Sequence, residues 1–174
     1  MRRDQLLGLA DAALLAQCDV DRLRGSGPGG QKRNKTESSI RLRHAASGLA
    51  AMSGESRSQP ENKARALRRL RERFAFDMRQ RVELDNYQPP PALAALVAQE
   101  TVRKSEKWLR SAEYLRGAGD LIDLYQAAGC SLPEVARRLG VSQARLERLV
   151  RVDPRLARKL GELRTAQRGH PVLD

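Results

Sequence analysis

The sequence predicts an α+β fold followed by an all-helical extension. Three observations carry that reading. Apolar and basic residues alternate through Ile40-Arg41-Leu42-Arg43, and a capped apolar stripe of helical period runs from Ser58 to Met78. Asn86-Tyr87-Gln88-Pro89-Pro90-Pro91 then separates this region from residues patterned for helices alone. Three successive prolines favour a stiff, extended spacer, so 86–91 is the expected linker between a first domain at 1–85 and a second at 92–174.

In chain order, Leu6, Leu9, Ala10, Ala13 and Leu14 recur at helical spacing and predict an opening helix, with Asp11 placed to cap a second turn. Residues 18–24 alternate weakly in the manner of a strand. Gly25, Gly27, Pro28, Gly29 and Gly30 then fall within six residues, which forbids regular structure. Ile40 and Leu42 against Arg41 and Arg43 give a strand with one buried and one basic face, running to His44. Ser47-Gly48 turns the chain into a further strand at 49–52. Ser58 and Glu61 form an S-x-x-E capping box with Pro60 in the first turn, and Leu67, Leu70, Phe74 and Met78 mark the buried face of the helix it starts. The other face carries Lys63, Arg65, Arg68, Arg69 and Arg71, which serves either as a solvated charged surface or as an RNA contact.

Beyond the linker, helices are expected at 93–100, 105–115, 120–128, 133–139, 143–150 and 154–168, broken at Gly117, Gly119, Gly129 and Gly140. Residues 132–150 resemble a helix-turn-helix, with Ala136 at the crossing, Gly140 in the turn and Leu146 and Leu149 in the core. One reading makes Gln143, Arg145 and Arg148 nucleic-acid contacts; the other is a helical hairpin that only packs. Trp108 is expected in the core.

Lys and Arg total 33 against 21 for Asp and Glu, a formal net charge of +12, and the sequence pI is about 10.7. An anionic partner follows, and RNA or DNA is favoured over lipid because no apolar run reaches transmembrane length and no lipidation motif occurs. Cys18 and Cys130 lie far apart without clustered histidines, so neither a disulfide framework nor a metal site is expected, and no cofactor. Met1-Arg2-Arg3, followed by Asp4 and Asp11, lacks a hydrophobic signal region, and the cytoplasm is the expected compartment. Aromatic residues make up only 3% of the chain, so base stacking does not dominate recognition. His44, a lone histidine ending a strand, reads as a packing or hydrogen-bonding residue.

The chemistry is expected in Gly25-Ser26-Gly27-Pro28-Gly29-Gly30-Gln31, where glycines permit positive φ and close approach of the backbone to a ligand. Main-chain N–H groups aimed at one point stabilise a developing oxyanion, and no catalytic triad is needed. A tight turn and a phosphate cradle are rival uses of such a loop. The flanking residues decide between them. Arg24 through Gln31, Asn34-Lys35-Thr36, Ile40 through His44, Gly48, Arg57-Ser58-Gln59, Asn62-Lys63 and Ala66-Leu67 together resemble the catalytic domain of class I peptide chain release factors, in order and spacing, over roughly residues 17–76.

That resemblance implies a small sheet with a packed helix, presenting Gly29-Gly30-Gln31 to the peptidyl transferase centre of the large ribosomal subunit, where water attacks the ester of P-site peptidyl-tRNA. It implies that the Gln31 backbone N–H stabilises the transition state and leaving group, that Gly29 and Gly30 permit its approach, and that the Gln31 side chain is a target for N5-methylation by a dedicated methyltransferase. Arg24, Lys32, Arg33, Asn34, Lys35, Arg41, Arg43 and Arg57 are the expected contacts to rRNA or tRNA phosphates, with Arg57 alternatively bracing the capped helix. Lys32-Arg33 is more basic than the pair found in many members, and Pro28 stands where many have alanine. No stretch here matches the stop-codon-reading domains of ordinary release factors, so the expectation is a monomeric, codon-independent rescue factor. The alternatives are a non-catalytic RNA- or DNA-binding module and a release factor that needs a separate codon-reading partner.

Overall fold

A computed structural model of the chain describes residues 2–23, 38–99 and 105–169. Two compact units emerge, Met1–Phe74 and Ala75–Asp174.

In the first unit the opening stripe is two short helices, α1 (Arg3–Gly8) and α2 (Asp11–Leu15), rather than one. Leu9 and Ala10 between them are extended, with ψ of 140° and 153°, and Asp11 is the first helical residue instead of a cap. Leu6, Leu7 and Leu14 are buried whereas Ala13 is exposed. A three-stranded antiparallel sheet follows in the order β1 (Cys18–Leu23), β2 (Ser39–His44) and β3 (Ala50–Ser53). Register runs from Cys18↔His44 to Leu23↔Ser39 on one side of β2, and from Ile40↔Ser53 to Arg43↔Ala50 on the other. The turn after His44 closes on Gly48, whose φ of +69° belongs to the left-handed region that glycine enters freely.

Helix α3 (Gln59–Asp77) starts where Ser58 accepts from the Glu61 N–H at 3.4 Å. The reciprocal half of the capping box is replaced, because the Glu61 carboxylate turns to Arg65. Asn62, Ala66, Leu70 and Phe74, four residues apart, form one fully buried stripe. Phe74 meets the His44 ring edge-on at 5.2 Å. His44 Nδ1 accepts from the Ser47 N–H at 3.2 Å, so Nε2 carries the proton and lies 3.3 Å from Gln17 Oε1. Burial lowers its pKa and keeps the ring neutral, as a packing histidine requires.

The second unit contains α4 (Pro91–Ala98), α5 (Glu106–Leu109), α6 (Ala112–Ala127), α7 (Leu132–Leu139), α8 (Gln143–Val152) and α9 (Pro154–Arg168). The division between units falls inside α3, upstream of the prolines. Pro90 caps α4 and Pro91 opens it, and Arg138 donates to the Leu84 carbonyl at 2.6 Å, so the chain before α4 is bonded to this unit. Gly117 and Gly119 do not break the helix as the sequence suggested. Both lie inside α6, whose residues from Gly117 to Tyr125 are all buried. A Cβ on Gly117 would stand 2.7 Å from the Ala92 carbonyl oxygen, so glycine permits the close crossing of α4 and α6. The expected breaks at Gly129 and Gly140 are found, both at φ of +64°.

Asp153 caps α9 by accepting from the Arg155 N–H at 2.9 Å, and also takes the Arg155 guanidinium and the Tyr114 hydroxyl, the latter at 2.9 Å. Burial alone would raise its pKa, but the Arg155 bonds and charge hold it below the usual carboxylate range. Trp108 is buried and packs edge-on to Tyr114 at 6.1 Å. Cys18 and Cys130 are free thiols; burial and neighbouring Asp19 raise the first, and burial the second.

Candidate functional site

The chain between Leu23 and Ser39 leaves and re-enters the sheet at directly paired positions of β1 and β2. Arg24, Gly29, Gly30, Gln31, Lys32, Arg33, Asn34 and Lys35 all fall between them and lie outside the described residues. What the structure describes is the frame that receives this segment.

Asn62, in the first turn of α3, is the centre of that frame. Its amide donates at 2.7 Å to the carbonyls of Ser38 and Ser56, and its Oδ1 accepts from the Ser56 N–H at 3.0 Å and the Ser53 hydroxyl at 3.3 Å. The side chain is fully buried with every hydrogen-bonding position used, as a buried amide requires. Gly54 completes the frame, since a Cβ there would come within 2.2 Å of Ser39 Oγ. Asn62 entered the sequence reading only as part of a motif. The available signal was its place on an otherwise apolar stripe, where a polar group has to find partners.

Arg41, Arg43 and Arg57 are exposed. Arg41 and Arg57 make no hydrogen bond or ion pair among the described residues and are open to external anions. Arg57 therefore does not brace the start of α3. Arg43 is engaged by Asp19 at 3.2 Å, its partner in the β1–β2 register, and Asp21 stands opposite Arg41 in the same way. The face read as strongly basic thus carries an acidic row beside the arginines. The Asp-x-Asp spacing of β1 held this information.

The cations of α3 divide similarly. Arg65 pairs with Glu55 and Glu61, Arg69 pairs with Glu55 and donates to the Met52 carbonyl at 2.7 Å, and Arg71 holds Asp11 and the Leu9 carbonyl, each at 2.8 Å. Lys63 and Arg68 make no hydrogen bond or ion pair among the described residues. Of the five cations read on this face, Arg65, Arg69 and Arg71 therefore staple the unit together, while Arg68 is exposed and Lys63 half-exposed.

In the second unit, α7 and α8 flank the Gly140 turn within the span that resembles a helix-turn-helix, and Ala136, Leu146 and Leu149 are buried. Its suggested contact residues are largely spent. Arg145 donates to the Gln99 carbonyl at 3.0 Å and Gln143 to Glu147 at 2.9 Å, leaving Arg148 exposed and unengaged among the described residues. A cavity of about 240 Å³ beside Tyr87 is lined by Glu83, Asp120 and Asp123 with Arg81 as its one cation, a net negative lining that disfavours a phosphate. Burial and those two aspartates push the Tyr87 hydroxyl up to about 12. Among the described residues, no three His, Cys, Asp or Glu side chains are grouped to hold a metal ion.

Residues 15–113 match the family model described as the RF-1 domain. The chain is 45% identical over 64 residues to peptide chain release factor 1 of Syntrophobacter fumaroxidans, which covers 37% of this chain and 18% of that protein. It is 41% identical over 66 residues to peptide chain release factor 1 of Wolbachia pipientis, covering 38% of this chain and 18% of that protein. With peptide chain release factor 2 of Neorickettsia sennetsu it shares 45% over 65 residues, covering 37% and 18%. The chain thus spans under a fifth of the length of these relatives. No solved structure matches it.

Proposed function

We propose, from the premise that this chain belongs to the RF-1 domain family, the catalytic domain of class I release factors, that it hydrolyses the peptidyl-tRNA ester on the ribosome. The observation that carries the reading is the family match over residues 15–113, which contains Gly29-Gly30-Gln31 intact. In the proposed step a water oxygen attacks the ester carbonyl, the bond to the tRNA 3′ oxygen breaks, and that oxygen takes up a proton. The peptide leaves with a free carboxyl group. The Gln31 N–H stabilises the charge that develops on the departing oxygen, a kind of donor whose loss costs on the order of 10²–10³ in kcat.

Arg24, Lys32, Arg33, Asn34, Lys35, Arg41 and Arg57 supply contacts to rRNA or tRNA phosphates in this reading; the free exposure of Arg41 and Arg57 supports it. The proposed partners are the large subunit and P-site peptidyl-tRNA, with a methyltransferase acting on Gln31 and no cofactor. A mass increase of one methyl group on the Gln31 peptide tests the modification. Release is proposed to be independent of the codon: the described residues beyond the matched span carry the helices from α6 to α9, and the stop-codon arm of the assay below decides the point.

The test is release of labelled formyl-peptide from P-site tRNA, with wild type and Gly30→Ala, on intact ribosomes with and without an A-site stop codon and on isolated large subunits. Codon-indifferent release by wild type and loss in Gly30→Ala is the expected result. Release only at stop codons would replace rescue with termination, and no release on any particle would leave a binding module.

A further inference from the structure

We propose that Asn62 is a positioning residue for peptide release, fixing through Ser38 the point where the segment bearing Gly29-Gly30-Gln31 rejoins the sheet. The inference rests on the release reading above. Asn62 joins four pieces of chain: Ser38 at the end of that segment, Ser53 at the end of β3, Ser56 in the following turn, and α3 itself.

Both N–H donors are spent on carbonyls at 2.7 Å and Oδ1 is spent on two donors, so rotation of the amide by half a turn would set oxygen against two carbonyl oxygens. The orientation is therefore locked. An apolar residue at this position would lose the bonds to Ser53 and Ser56 as well as the one to the Ser38 carbonyl, so the amide serves stability too. The bond to Ser38 is the one of the four that reaches the segment. The other stem of the segment is set by Leu23 opposite Ser39, and Ser39 has no room to move toward Gly54. Rates depend steeply on such placement, a displacement of about 1 Å costing on the order of 100-fold.

Asn62→Asp is nearly isosteric and faces the Ser38 and Ser56 carbonyls with a carboxylate instead of donors. Below its melting temperature it is expected to lower kcat for peptide release about 10–100-fold with KM within about twofold of wild type, by analogy with misplaced catalytic groups. The deficit relative to wild type should narrow as pH falls, because the protonated carboxyl regains one donor. Ser53→Ala removes only a bond to Oδ1 and leaves Ser38 held, so its kcat should stay within about twofold of wild type. Asn62→Ser, neutral and too short to reach the Ser38 carbonyl, is the second variant should the first fail to fold, and the same loss of kcat is expected.

Wild-type kcat in folded Asn62→Asp or Asn62→Ser, or a loss shared equally by Ser53→Ala at matched melting temperature, would reduce Asn62 to a structural residue. Absence of release by wild type on every particle would overturn the release reading and this role together. Normal wild-type release with an undiminished variant would overturn this role alone.

Discussion

Arg43 and Arg41 sit two residues apart on one strand face, each opposite an aspartate of β1, yet only Arg43 is bonded to its aspartate. Exposed ion pairs add little to stability, but Asp19 cancels much of the charge that Arg43 offers to a distant phosphate. Arg41→Ala should therefore weaken ribosome binding and reduce the salt slope of log affinity by about one unit, while Arg43→Ala changes it less. Asp19→Ala should bind more tightly than wild type. Equal effects of the two arginine substitutions, measured by salt titration of binding, would contradict this. His44 gives a pH dependence. Burial holds its folded pKa below the ordinary imidazole value of 6.5, so its contribution to stability is complete above that value and is lost as pH falls through 6.5 toward the folded pKa. Urea unfolding should show stability falling over that window, and His44→Gln should flatten the fall.

Among the helices, one substitution has opposite expected signs at two sites. Alanine in place of glycine inside a helix gains about 1 kcal/mol from propensity. At Gly161 in α9 nothing lies within 4 Å of the added Cβ, so Gly161→Ala should stabilise by roughly 0.5–1 kcal/mol. At Gly117 the Cβ meets the Ala92 backbone, and an overpacking cost of about 1–3 kcal/mol outweighs the gain. Thermal unfolding of the two variants checks the pair. The same contrast explains what was legible in the sequence. The strands, α3 and the helices from α7 onward were readable because local period, caps and left-handed glycines agree there. Gly117 was misread as a break because the reason for a glycine was a neighbouring helix, which no local window contains. The opening stripe was misread because Leu9 and Ala10 fit a helical period while their backbone is extended. In the candidate site, the charges were visible but their partners were not: the β1–β2 register that sets Asp19 beside Arg43, and the fold-back that sets Asp11 beside Arg71, are properties of the assembled unit.

Across the whole molecule the charge is unevenly shared. Residues 1–74 hold 16 Lys and Arg against 8 Asp and Glu, whereas residues 75–174 hold 17 against 13. Much of the second unit's charge is internally matched, as in Arg151 with Glu147 and Arg137 with Glu134, which holds the Glu134 carboxyl down to about 2. Electrostatic attachment to RNA should therefore be carried by the first unit, and Arg148→Ala should leave the salt slope within error of wild type where Arg41→Ala lowers it. A large effect of Arg148→Ala would instead give the α7–α8 arrangement a nucleic-acid role. The second unit's own integrity rests on Asp153, and Asp153→Ala, which strands the buried Tyr114 hydroxyl and Arg155, should cost about 3–5 kcal/mol in urea unfolding. The two cysteines open an experimental route to the same question. With both thiols raised by burial, little thiolate forms near neutral pH, and alkylating dyes react with them slowly. A cysteine introduced at exposed Arg148 would take up a maleimide fluorophore far faster than either native thiol. Energy transfer from that dye to a labelled ribosomal subunit would then report where the helical unit comes to rest, without first removing either native cysteine.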